Sequence, residues 1–473
     1  MFDFEFDDFE DPASDDELHG LVEAYERSLR DGQDAFFDSE ALEAVATHYF
    51  EMGRLTDALG VVDHALRTQP FQSDSWLRRG ILLNHLDRHD EALEAYDRAL
   101  SLNPADTETV INRGITLDTL GRVEEAIEAY ERALDLDPLH SDAFFNKGIA
   151  HEKIGRYEEA IAALHRCADI EPEHPEVWYE LGYCYDQLDR LDDSVACYDR
   201  QIDIDPYAQN AWYNRGIVLN RMGRYEDAIA SYDFATVICD DFASAWYNRG
   251  NALANLGQPK EAIESYLKVL EYEDGDAATF YNLGIAFEEQ QDYASAISYL
   301  LRAVQDDPEY ADAWYGLGCC YDALERYGDG LGAFARALEL QPDVAEYWHA
   351  RADSEYNAGR LSDALHSYAR VVELEPENAE AWLDLAETCL ESNLTSEALN
   401  AYAQVVRLNP RSTEAYLRQA QVLASVGQRD AAARALDRAC ELDPAHTEDF
   451  RRAYREMWGN ARSGGPSGDE ARR

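Results

Sequence analysis

Residues 209–242 read QNAWYNRGIVLNRMGRYEDAIASYDFATVICDDF, and the next 34 residues open ASAWYNRGNALANLGQPKEAIESYLKVLEYE. The same register runs through the chain. Pro70, Pro104, Pro138, Pro172 and Pro206 stand 34 residues apart. After Asp240 and Asp274 the series resumes at Pro308, Pro342, Pro376, Pro410 and Pro444. Twelve periods pass without an insertion or deletion. Self-similarity at this length marks a solenoid, in which each unit buries its apolar face only against its neighbours.

Numbering each period from Ser39, Ser73, Thr107, Ser141, Pro175, Gln209, Ala243, Ala277, Ala311, Ala345, Ala379 and Thr413 exposes the unit. Position 4 is aromatic in nearly every period (Trp76, Trp178, Trp212, Trp246, Trp314, Trp348, Trp382) and position 8 is small (Gly80 through Gly318, then Ala352, Ala386 and Ala420). Position 20 is almost always alanine, and position 24 is large, mostly tyrosine. A small residue four places after a bulky one shares its helix face, so a neighbouring helix can approach closely. Glycine near position 15, as in Gly121 and Gly223, marks a left-handed cap. A second amphipathic stretch follows until proline stops it. Each unit is expected to be a helix hairpin, with helix A at positions 2–14 and helix B at 18–31.

This pattern of aromatic, glycine, alanine, tyrosine and proline resembles the tetratricopeptide repeat family over about residues 39–446. The resemblance implies an all-α, right-handed superhelical solenoid of antiparallel helix hairpins, with helix A lining a concave groove. It implies protein or peptide binding. Around the array, residues 1–17 are expected to form an acidic, phenylalanine-rich disordered tail, and 18–38 an N-terminal capping helix and linker. A C-terminal capping helix is expected at 447–459, then a disordered tail at 460–473. The tail with Phe2, Phe4, Phe6 and Phe9 is either a solvated end or a segment that binds a partner or its own groove. It has neither the basic start nor the apolar core of a secretory leader. No apolar stretch approaches the length of a membrane span.

Charge excludes several partners. Against 95 acids stand 41 bases, a formal net charge of −54, and the bases include only four lysines: Lys147, Lys153, Lys260 and Lys268. Nucleic acid and anionic membranes would be repelled by such a field. Acid excess with lysine depletion resembles proteins of salt-accumulating halophiles. Eight cysteines include no C-x2-C pair, so no metal site is expected, and buried free thiols in a reducing cytoplasm are.

The groove positions are 2, 5, 6, 9, 12 and 13. Position 5 is aromatic through Phe145, Tyr179, Tyr213, Tyr247, Tyr281 and Tyr315. Position 6 is asparagine at Asn112, Asn146, Asn214, Asn248 and Asn282, interrupted by Glu180. A primary amide can donate to one peptide carbonyl and accept from one peptide amide, so a row of them can hold an extended peptide. The row resembles the asparagine ladder in the repeat domain of O-linked N-acetylglucosamine transferase. Acids crowd the groove positions on both sides, but repeats 209–242 and 243–276 carry none there. The candidate site is therefore Asn210, Tyr213, Asn214, Asn220, Arg221, Tyr247, Asn248, Asn251, Asn255, Tyr281 and Asn282. A chaperone carboxylate clamp is excluded, because no lysine stands at position 2 or 5. Arg79, Arg113, Arg215, Arg249 and Arg351, with Lys147, replace the usual leucine at position 7 and read as structural. No nucleotide, zinc-protease or serine-hydrolase motif occurs. The chain reads as a non-catalytic cytoplasmic scaffold without a cofactor; the alternative is a targeting or regulatory partner of a separately encoded enzyme. The partner and the oligomeric state are not legible.

Overall fold

The computed structural model describes residues 15–31 and 37–444, with Thr447 and Arg452. The phenylalanines of the opening tail, almost all of the expected closing helix and the last tail lie outside these residues. Among the described residues there are 25 helices and no strand. They divide into two compact units, one ending at Asp240 and the other beginning at Asp241. The first unit holds a leading helix, Asp15–Asp31, and six helix pairs from Ser39–Glu51 and Leu55–Thr68 to Gln209–Arg221 and Tyr225–Ile238. The second holds six pairs from Ala243–Asn255 and Pro259–Tyr272 to Thr413–Ser425 and Arg429–Leu442. The leading helix starts three residues before the expected 18. The paired helices occupy positions 1–13 and 17–30, one place earlier than expected, and Val177–Gln187 starts late because Pro175 precedes it.

The repeat positions explain the hairpin. At position 15 the backbone turns left-handed in all twelve repeats. Seven use glycine, with φ between 68° and 79°; Asp87, Asp189, Gln291, Glu325 and Asn393 take φ of 57–60° without it. The reversal returns backbone N–H groups to the end of helix A, as in Arg122 to the Leu117 carbonyl at 2.9 Å. Next, a Cβ on Gly216 would stand 2.6 Å from the Tyr232 ring, so only hydrogen fits between helix A and the buried position-24 tyrosine. Tyr96, Tyr130, Tyr198, Tyr266 and Tyr402 are likewise fully buried.

Proline and tryptophan act together at the seam. Pro206 ends the preceding repeat, and its carbonyl accepts the Trp212 Nε1–H at 3.0 Å; Pro342 and Trp348 do the same at 2.8 Å. The position-7 arginines pack as expected. Arg215 lies over the Trp212 ring at 5.9 Å and donates to Asp199 at 2.6 Å and Ser231 at 2.7 Å. Arg79 reaches Asp63, Arg113 reaches Asp97 and Lys147 reaches Glu131, each sixteen residues back.

Candidate functional site

Groove residues of one repeat meet those of the repeat before it, by a rule the sequence did not disclose. Position 6 reaches back to positions 5 and 9. Asn214 donates its amide to the Tyr179 hydroxyl at 2.9 Å. Asn282 donates to the Tyr247 hydroxyl at 3.0 Å and to Asn251 Oδ1 at 3.1 Å. Arg78 binds Glu43, and Arg418 stands 3.3 Å from Glu387. Position 13 reaches back to position 12: Lys153 pairs with Asp118, and Arg221 with Asp186. The asparagine row is thus partly a stitch between repeats.

In the first unit, Asn210 and Arg221 are exposed, and Tyr213, Asn214 and Asn220 are half-buried. The Tyr213 ring rests 6.1 Å from that of Tyr232. Arg221 is not an open cation: it is committed to Asp186 and, at 2.9 Å, to Asp189. Asn220 Oδ1 is shielded and has no hydrogen-bond partner. In the second unit, Tyr247, Asn251 and Asn282 come together, with the Tyr266 hydroxyl donating to Asn251 at 2.7 Å. Tyr281 leans on Tyr310 at 4.9 Å, and burial pushes its hydroxyl pKa up. Asn248 is half-buried and Asn255 exposed. The two earlier asparagines differ. Asn112 and Asn146 are only 6% and 7% exposed, and Asn112 donates to its own helix at Glu108.

Two features lie outside the expected site. In the second unit a cavity of about 400 Å³ is lined by Tyr315, Glu346, His349, Asp353, Glu375 and Glu380. His349 continues the position-5 column in which tyrosine runs before it, which is the signal that was available in the sequence. Its ring lies 3.3 Å from Asp353 and 3.0 Å from Asp384 of the following repeat, and these carboxylates push its pKa up to about 10. In the first unit, Glu180 takes the place of an asparagine, and burial, then the charge of neighbouring Glu152, pushes its carboxyl pKa up. Among the described residues no group of three or more histidines, cysteines or acids could hold a metal ion. No described helix is long and apolar enough to cross a membrane.

Models of the tetratricopeptide repeat match residues 44–107, 111–169, 281–345 and 390–447, just over half of the chain. Related repeat models match 153–214, 356–405, 243–275 and 218–257. The chain belongs to the tetratricopeptide repeat family. Among solved structures it is similar to YrrB, titled a TPR protein with an unusual peptide-binding site, at 23% identity and a TM-score of 0.36, over 39% of this chain and 95% of that one. MamA matches at 27% identity and a TM-score of 0.35, over 36% and 92%. The C-terminal part of a repeat-containing protein from Cytophaga hutchinsonii matches at 15% identity and a TM-score of 0.45, over 50% and 97%. No curated protein matches the chain.

Proposed function

We propose that this chain is a non-catalytic cytoplasmic scaffold whose helix-A faces hold extended peptides or partner proteins, with the groove residues of repeat 209–242 in the first unit and of repeat 243–276 in the second as the principal contacts. The supporting observation is hydrogen-bonding capacity on a neutral face. The bonds of Asn214 to Tyr179 and of Asn282 to Tyr247 and Asn251 use the amide nitrogens, so both side-chain oxygens remain to accept from a peptide. No acid occupies a groove position in those two repeats, whereas Glu288, Asp312, Asp353 and Asp384 follow. Nucleic acid is an unfavoured partner for a chain of this charge.

The test is recovery of partners from native extract at high salt by wild type and by Asn214→Ala/Asn248→Ala/Asn282→Ala. Losing the groove amides should nearly abolish capture, since each removed contact costs about 1–3 kcal/mol by stranding a partner group. Asn214 and Asn282 also stitch repeats, so a modest loss of melting temperature must be measured alongside. The control is Glu289→Ala, which is exposed and lies outside the two neutral repeats. Equal capture by the folded triple variant would move recognition off these residues.

A further inference from the structure

Glu180 stands on the helix Val177–Gln187 where Asn214 stands one repeat later. The partners that satisfy an asparagine are missing there. Position 6 reaches positions 5 and 9 of the repeat before, as Asn282 reaches Tyr247 and Asn251. For Glu180 those positions are Phe145 and Ile149, and neither side chain carries a polar atom. What the preceding helix, Ser141–Lys153, offers instead is the carboxyl of Glu152, whose Oε2 lies 4.0 Å from Cys184 Sγ, one turn from Glu180 on the same face of its helix. Two ionised carboxylates so placed are acceptors only and repel each other, whereas a proton on either one makes it a donor to its neighbour.

We infer that Glu152 and Glu180 hold one proton between two consecutive repeats, and that its loss sets two carboxylates against each other and loosens this contact.

The surroundings favour the shared proton. Lys153, on the Glu152 helix, spends its ammonium on Asp118 of the helix Thr107–Thr119. Glu176, Tyr179, Tyr183 and Cys184 face the pair from the Glu180 segment, with Cys184 Sγ 4.0 Å from Glu152. Tyr198 of the helix Leu191–Ile204 faces Glu180, while Tyr157, from Tyr157–Ile170, and Cys197 neighbour Tyr183 and Cys184. His174, in the connecting loop, packs on Phe145 and lies 3.9 Å from Asp142. Among these neighbours Lys153 is the sole permanent cation. Burial, then the neighbouring Glu152 charge, holds the Glu180 carboxyl well above the ordinary carboxylate range. A raised folded pKa contributes stability in full below the unfolded value and loses it as pH rises through the folded one.

Thermal melts of the full chain at fixed high salt, from about pH 5 to about pH 9, compare wild type with Glu180→Gln and Glu152→Gln. Either amide keeps the shape and supplies a permanent donor to the remaining carboxylate. The melting temperature of wild type should fall relative to both variants as pH rises, with Glu180→Gln the more stable chain at the alkaline end. Hydrogen-exchange protection in residues 141–153 and 177–187 should fall selectively in wild type over the same range. Parallel pH profiles of wild type and variants, or a Glu180→Gln chain less stable than wild type at alkaline pH, would overturn the shared proton.

Discussion

At the scale of single residues, position 15 separates backbone from packing. Gly223 has φ of 72° and open space around its missing Cβ, so a side chain there meets strain alone. Gln291 already bears that strain at φ of 60°. Gly223→Ala should therefore destabilise the chain by about 1 kcal/mol, and Gln291→Gly should stabilise it by about 0.5–1 kcal/mol. Urea unfolding followed by circular dichroism reads both, and the two changes should carry opposite sign. The glycines at position 15 were legible as caps. That aspartate, glutamate, glutamine and asparagine adopt the same conformation was not, because the hairpin's closure imposes it against local preference.

At the scale of elements, helices are stitched across the groove by whatever pair the columns supply. His349 is the charged case: it joins the helix Ala345–Asn357 to Ala379–Glu391 through Asp384 while also touching Asp353. Its pKa is raised to about 10 by those carboxylates. The contribution is complete below the ordinary imidazole value and is lost as pH rises through about 10. His349→Asn should accordingly melt below wild type at pH 7, with the gap closing by about pH 11; a gap that persists unchanged would show that the imidazolium charge is not what joins the helices. At the opposite end of each hairpin, Arg122 pairs with Glu125, Arg224 with Asp227 and Arg326 with Asp329. These exposed i,i+3 pairs each contribute little. Sequence reasoning placed the arginines at position 7 correctly, since a long stem beside tryptophan has one place to lie. It could not place His349, whose partners stand four and 35 residues away.

For the whole molecule the governing quantity is the net charge of −54. Repulsion among surface acids reaches about 30 Å at 0.01 M salt and only about 3 Å at 1 M. The melting temperature should rise markedly between about 0.05 M and about 2 M KCl, as circular dichroism at the helical band would record. Equal melting temperatures would remove the halophilic reading and leave the fold intact. Cysteine chemistry bears on the same setting. Cys167, Cys184, Cys197, Cys320 and Cys389 are buried free thiols, and burial pushes the Cys167 thiol up to about 12, leaving it inert as a nucleophile.

The amino-acid sequence by itself determined the hairpin, its period, its caps and the identity of the buried positions. Those features depend on residues within one helical turn or one repeat of each other, and twelve copies state them again and again. Only the tertiary structure decided which groove groups are already engaged. Asn214 and Asn282 donate to tyrosines 35 residues back, Arg221 is neutralised by Asp186, and Glu180 meets Glu152 because Phe145 and Ile149 give it nothing else. The reason is that a side chain's hydrogen-bonding capacity depends on the distance and direction of every neighbour, and repeat position records only the column in which each residue stands.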